Sequence, residues 1–385
     1  MVGVAGECIL CGKCLEVCPL LAATGREELG PRAKADLCHL LARDEAGLRG
    51  ADVARLAGLC LGCDRCAAVC SQGVDVPGLV AGLRGAHPDF KGWLWKTWLS
   101  HAKTLWPVGS AMAGLVPDSL RPERFGPLLK MLAGLRDGPG LTPALAPFLT
   151  PTSFPDTHRG EPMLLFPGCT ATHVRQRWLA AAHSLLHGLG VAILPGDFRC
   201  CGSGLKSAGF ADEARAMALH NLAAWRGAGR PKVAVFCASC LSALRGYTHY
   251  IDDPAEAEVW RNSLILLSIL AKDTVFVISG AVPDRIAYHR PCHADGAGSD
   301  HLLLVAALGD RLVESTDRQC CGFGGVMALG APELADRVNA RCWDQLAGAE
   351  LVLTGCSACA ARLDATAPAG VAVGHWLEVI GQMRR

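Results

Sequence analysis

Eighteen of the chain's 20 cysteines fall into two spacing patterns, each used twice, and this leaves few folds open. The first pattern is C-x2-C-x2-C-x3-C. It occurs as Cys8, Cys11, Cys14 and Cys18 followed by Pro19, and again as Cys60, Cys63, Cys66 and Cys70 followed by Ser71. Three thiolates two residues apart let a tight loop wrap three corners of a metal–sulfide cubane. In two-cluster proteins the fourth cysteine reaches the other cluster. The reading is therefore one [4Fe-4S] cluster on Cys8, Cys11, Cys14 and Cys70, and another on Cys60, Cys63, Cys66 and Cys18. Zinc takes four tetrahedral thiolates and does not call for eight in two four-cysteine runs. Ser71 stands where the run usually has proline, and Val76-Pro77 restores a chain break a few residues on.

The second pattern is C-xn-C-C-G-xn-C-x-x-C. One set is Cys169, Cys200, Cys201, Cys237 and Cys240; the other is Cys292, Cys320, Cys321, Cys356 and Cys359. Residue-number differences between the sets are 123, 120 and 119 for Cys169/Cys292, Cys200/Cys320 and Cys237/Cys356, which marks an internal repeat. Within each copy, short apolar runs (163–166, 191–194 and 232–236; 286–288, 312–314 and 350–354) alternate with helical stretches such as 213–225. That alternation predicts a parallel α/β layer. Each cysteine group then follows the C-terminal end of a strand, where such sheets gather ligands. Adjacent cysteines suit neighbouring irons of a larger cluster, and five soft ligands exceed the needs of one zinc. The glycine after each pair is expected to let backbone pass close to inorganic sulfur. That one set is structural or binds zinc stays open. His289 and His293 flank Cys292 and read as polar loop residues or as proton donors to a thiolate. Cys38 and Cys342 lie outside every motif and read as packed free thiols.

With these motifs the chain resembles the family sharing the cysteine-rich, or CCG, domain. That family includes the B- and D-type subunits of heterodisulfide reductase, glycolate oxidase iron–sulfur subunits and the C-type subunit of anaerobic glycerol-3-phosphate dehydrogenase. The likeness runs from Cys8 to His375-Trp376-Leu377-Glu378. It implies an α+β multidomain fold: an α-helical ferredoxin domain (1–90), a Trp-rich helix with a Pro/Gly-rich linker (91–160), and two repeated α/β CCG domains (161–280 and 281–385). It also implies one further cluster, of non-cubane [4Fe-4S] type, in one or both CCG domains. Both five-cysteine sets are intact, which favours the branch of the heterodisulfide reductase D-type subunit. The role implied is an iron–sulfur electron-transfer subunit of a membrane-associated complex, passing single electrons between a quinone or cytochrome partner and the CCG domains, with thiol–disulfide chemistry as an option. The alternative is the iron–sulfur subunit of a flavin-dependent 2-hydroxy acid (glycolate or lactate) or glycerol-3-phosphate dehydrogenase. A metal-binding scaffold without catalysis is a third reading.

Composition narrows the partners. A net charge of +1 gives no reason to expect nucleic acid. A cysteine motif at residue 8 leaves no room for a cleavable signal, so thiols serving metals in the cytoplasm are expected, peripheral at the inner face of the membrane. No apolar run reaches transmembrane length. Residues 322–325 (Gly-Phe-Gly-Gly) lack the full dinucleotide fingerprint, and there is no Walker loop or H-E-x-x-H, so flavin, haem or quinone is expected on other chains. Trp95, Trp98, Leu99, Ala102, Leu105 and Trp106 share one helical face, with Lys96, Ser100 and Lys103 off it. That face suits docking on a membrane partner or packing on the protein itself.

Overall fold

The structure, a computed structural model, describes residues 8–43, 47–115, 132, 145–313 and 319–382. They divide into two compact units. One comprises the described parts of Met1–Ser100, Gly202–Ala214 and Gln319–Gln345; the other those of His101–Cys201, Arg215–Arg318 and Leu346–Arg385.

The first unit is helical. Helices Pro31–Ala42, Gly50–Ala57 and Val76–Ala86 pack through Ala35, Val53, Ala57, Val76, Leu79, Val80 and Leu83, all buried, with Cys38 and Cys66 in the same core. Each such Val or Leu contributes about 1.5–3 kcal/mol. The two ferredoxin motifs end differently. Cys18 caps helix Pro19–Thr24 directly, with proline at its first position. After Cys70 the chain turns, and the next helix waits until Val76, where Asp75 accepts from the Gly78 amide at 3.0 Å. Ser71 thus delays a helix start that Pro19 makes immediate.

The described residues of the second unit form three sheets. β1 (Leu149–Ser153) pairs antiparallel with β6 (Val275–Ile278). β2 (Pro162–Phe166), β3 (Ala192–Leu194), β4 (Lys232–Val235) and β5 (Leu264–Leu266) form a parallel sheet in the order β3-β2-β4-β5. β7 (Ile286–His289), β8 (Leu312–Val313), β9 (Leu351–Thr354) and β10 (Ala372–His375) form another in the order β10-β9-β7-β8. Strand for strand the two orders are the same, so the repeat seen in the cysteines is a repeat of topology.

Two sequence expectations change. Of the expected linker, Pro122, Pro127, Pro139 and Pro143 lie outside the described residues. Pro151, however, is in β1, a strand of a two-stranded sheet whose register shifts between Pro151 and Ser153. An edge strand with an irregular ladder tolerates the missing amide. The tryptophan segment is two helices, Phe90–Ser100 and Ala102–Gly114, parted at His101, whose φ of −109° and ψ of 27° are not helical. Its one expected face is therefore divided. Trp95 packs on Ala208 and Val326, and Trp106 meets His173 edge-on at 6.5 Å, so both serve the protein's own core. Trp93 stays 55% exposed.

Candidate metal centres

In the first unit the two ferredoxin loops are built alike. Residues two and four places after the leading cysteine take left-handed backbone: Leu10 (φ 59°) and Gly12 (81°) after Cys8, Gly62 (63°) and Asp64 (57°) after Cys60. Two left-handed residues in four curl the chain around a small centre. For Leu10 and Asp64 this conformation carries a steric cost that the surrounding fold must offset. One cavity is lined by Cys8, Cys11, Cys14, Cys66 and Cys70. A neighbouring cavity is lined by Cys18, Cys60, Cys63 and Cys66. Both are apolar apart from sulfur and a few polar side chains. Amides turn toward the sulfurs: Val74 N–H donates to Cys70 Sγ at 3.4 Å, and the amides of Leu20 and Leu21 favour the Cys18 thiolate. Burial pushes the Cys18, Cys60 and Cys66 thiols up, a cost that metal ligation removes. Soft donors in two groups of four, with amides aimed at sulfur, suit iron–sulfur clusters.

Lys34 lines the second cavity and is buried. Its ammonium donates to the carbonyls of Leu29 and Gly30. Arg84 donates to the carbonyls of Ala57 (3.0 Å), Gly58 (3.4 Å), Cys60 (2.7 Å) and Ser207 (2.6 Å).

In the second unit, adjacent parallel strands deliver the first five-cysteine set. Cys169 follows β2, Cys200 and Cys201 follow β3, and Cys237 and Cys240 open the helix Ala238–Arg245 after β4. The thiols of Cys169 and Cys200 are within hydrogen-bond reach of each other, as are those of Cys240 with Cys201 and Cys237. Cys237 accepts from Cys240 and Cys356 and is held well below the usual thiol range, while Cys240, facing Cys201, is held well above it.

The second set is shared out differently. Cys292 follows β7, and Cys356 and Cys359 open the helix Ser357–Ala365 after β9. Cys320 and Cys321 belong to the first unit. Within the second unit the two repeats meet at loops that carry their cysteines. Ser239 Oγ lies 3.3 Å from Cys237 Sγ and 3.4 Å from Cys356 Sγ, Ser357 Oγ lies 3.5 Å from Cys237 Sγ, and Ala238 N–H donates to Gly355 O at 2.9 Å. His289 is buried and 3.3 Å from the Thr354 hydroxyl, so it is no exposed loop residue. Cys38 and Cys342 are buried, their thiols pushed up to about 11 and about 12 by desolvation.

Several supporting residues escaped the cysteine pattern. Asn221 Nδ2 donates to the carbonyl of Cys200 at 3.3 Å and to the Tyr247 hydroxyl at 3.0 Å, and Tyr247 donates to the Cys201 carbonyl at 3.0 Å. Asn339 donates to the Cys321 carbonyl at 2.9 Å. Asn221 and Asn339 are 118 apart, close to the repeat offset of the cysteines, which was a usable signal. The glycine after each pair answers a constraint of the fold itself. Gly202 (φ 77°) and Gly322 (φ 72°) are left-handed, and a Cβ there would meet the following helix: Ala214 Cα at 3.2 Å for Gly202, Ala335 O at 2.5 Å for Gly322. His375, fully buried, accepts from Leu377 N–H at Nδ1 and sits 3.2 Å from Phe236 O through Nε2, with Trp178 4.7 Å away, and burial pushes it down to about 4.

Comparison with known proteins agrees with these two kinds of centre. Residues 4–74 match the family described as 4Fe-4S dicluster domain, and residues 163–245 and 286–364 each match the Cysteine-rich domain. The chain is 26% identical to the D-type subunit of the dihydromethanophenazine:CoB–CoM heterodisulfide reductase of Methanosarcina acetivorans, covering 93% of this chain and 88% of that protein. It is 24% identical to the probable glycolate oxidase iron-sulfur subunit of Bacillus subtilis, covering 86% and 82%. It is 28% identical to the C-type subunit of the anaerobic glycerol-3-phosphate dehydrogenase of Escherichia coli K12, covering 45% and 46%. Among the described residues no helix is long and apolar enough to cross a membrane.

Proposed function

We propose that the chain is an iron–sulfur electron-transfer protein of the cysteine-rich-domain family, serving a membrane-associated oxidoreductase complex in the manner of the heterodisulfide reductase D-type subunit, peripheral at the inner face of the membrane. Supporting this over a flavoprotein-linked role is the extent of the likeness to that reductase subunit, 93% of this chain. Bound clusters supply one-electron chemistry at potentials set by their surroundings.

In this reading Cys8, Cys11, Cys14 and Cys70 hold one cubane and Cys18, Cys60, Cys63 and Cys66 the other, which the linings of the two cavities favour. Cys169, Cys200, Cys201, Cys237 and Cys240 hold a non-cubane [4Fe-4S] cluster, and Cys292, Cys320, Cys321, Cys356 and Cys359 another. The protein's own work is to present thiolates in fixed groups, to donate amides and hydroxyls to sulfur, and to keep water from the Cys237–Cys356 contact. The single observation that carries the proposal is the gathering of the first five thiols at the ends of three neighbouring parallel strands. Thiol–disulfide chemistry at these centres is the option that the likeness to a heterodisulfide reductase supports.

The test is an oxygen-free purification at native expression with iron and labile sulfide counted. Roughly sixteen iron atoms per chain are expected, four at each of four centres. Recovery near eight would confine the clusters to the N-terminal domain. A co-purifying membrane cytochrome or quinone-binding protein supports the complex proposed, whereas a flavoprotein in its place would move the chain to the 2-hydroxy acid or glycerol-3-phosphate dehydrogenase role.

A further inference from the structure

The two cubane cradles of the first unit differ in one respect that bears on their chemistry. Beside Cys8, Cys11, Cys14 and Cys70 the cations are Lys13 and Arg32, and both are exposed. Water and salt screen such charges. Beside Cys18, Cys60, Cys63 and Cys66 the lining cations are Lys34, which is buried, and Arg65, which is half-buried, with half-buried Arg84 bound to the Cys60 carbonyl. Lys34 is 6% exposed, lines the cradle, and is fixed by two carbonyls at the start of its helix. Arg84 is locked by four carbonyls, one of them that of the ligating residue Cys60. Arg84 stays charged in any protein setting. Reduction adds one negative charge to a cluster, with no bond made or broken, and a buried cation stabilises that charge far more than a screened one.

On the ligand grouping of the proposed function, we infer that Lys34 and Arg84 are potential-setting residues, holding the cubane of Cys18, Cys60, Cys63 and Cys66 at a higher reduction potential than that of Cys8, Cys11, Cys14 and Cys70. The two cubanes are then unequal, and a single electron shared between them resides on the second. The second cradle is also the one whose loop abuts the segments that follow the paired cysteines. Gly62 faces Ser207 Cβ at 3.6 Å, and Leu61 lies 2.9 Å from where a Gly324 side chain would begin. Electron density is thereby held on the side of those segments and away from exposed Cys11.

The experiment is an EPR-monitored redox titration of the full-length, anaerobically purified protein, beside Lys34→Met and Lys34→Arg. The wild type is expected to show two cubane reduction waves. Lys34→Met should lower the higher wave by at least 59 mV, a tenfold change in the reduced-to-oxidised ratio for one electron, and leave the other in place. Lys34→Arg should retain it. A single wild-type wave, or equal movement of both waves in Lys34→Met, overturns the inference, and the wild-type result decides even if Lys34→Met does not fold. Cys18→Ser should alter the same wave that Lys34→Met moves. If it alters the other, the ligand grouping is what fails, and absence of any cubane signal overturns the proposed function itself.

Discussion

Replacing Gly322 by alanine isolates how the paired cysteines are held. Three glycines of the first unit share a left-handed backbone but differ in the space around them. A Cβ at Gly25 (φ 67°) meets nothing within 4 Å, at Gly202 it meets Ala214 Cα and O at 3.2 Å, and at Gly322 it meets Ala335 O at 2.5 Å and Asn339 N at 3.0 Å. The left-handed conformation alone costs a non-glycine residue about 1–2 kcal/mol, so Gly25→Ala should lose that much. Gly322→Ala loses the same and must also push the loop off the helix Pro332–Gln345, at about 1–3 kcal/mol for a forced fit. It also endangers the Asn339–Cys321 hydrogen bond, worth about 1 kcal/mol. The expected order of damage is Gly25→Ala, then Gly202→Ala, then Gly322→Ala, the last at about 3–6 kcal/mol in total. Anaerobic melts followed through cluster absorbance, at one scan rate, read this as a fall in Tm of about 2–4 °C per kcal/mol. Iron counts should fall in the same order. If Gly322→Ala melts with Gly25→Ala and keeps its iron, the helix does not press on that loop and the packing argument is wrong.

Acid should act through His375. Its folded-state value of about 4 lies below the ordinary 6.5, so the unfolded chain binds the extra proton first. Stability is therefore complete above pH 6.5 and falls as pH drops toward 4, by about 3 kcal/mol in all. His375→Gln should flatten that part of the denaturation profile between pH 7.5 and 5, and an unchanged slope would refute the assignment. Asp300, raised to about 7 mainly by burial, runs the other way: its contribution is present below pH 3.8 and is lost as pH rises to 7. Asp300→Asn should thus become relatively more stable at pH 7.5 than at pH 5. Ser239→Ala removes a hydroxyl that faces sulfurs of both repeats, so it should lower the midpoint potentials of both proposed cysteine-rich centres at once in a redox titration. A shift confined to one centre would contradict the shared serine.

Much of the candidate site was legible because candidate ligands obey spacing. The eight ferredoxin cysteines, the ten of the repeat, and the strands that precede Cys169, Cys237 and Cys356 all follow from short-range pattern. What was missed depends on long-range partners. β5 lies in a continuous apolar run whose periodicity does not separate strand from helix, and β10, Ala-Val-Gly-His, has too little strand preference to stand out. The break at His101 is invisible to a helical wheel, because the sequence keeps helical spacing across a residue whose backbone is not helical. Lys34 looked like any surface lysine of an amphipathic helix. Only the fold shows that its neighbours at that depth are sulfurs and carbonyls.

A duplicated domain usually leaves one copy free to drift once the other preserves the function. Here the freedom is curtailed by the handshake between the loops at Ala238 and Gly355 and by serines 239 and 357 reaching across it. A change in the cysteine-bearing turn of one repeat alters the surroundings of its twin's sulfur, so the halves of this molecule are bound to change in step.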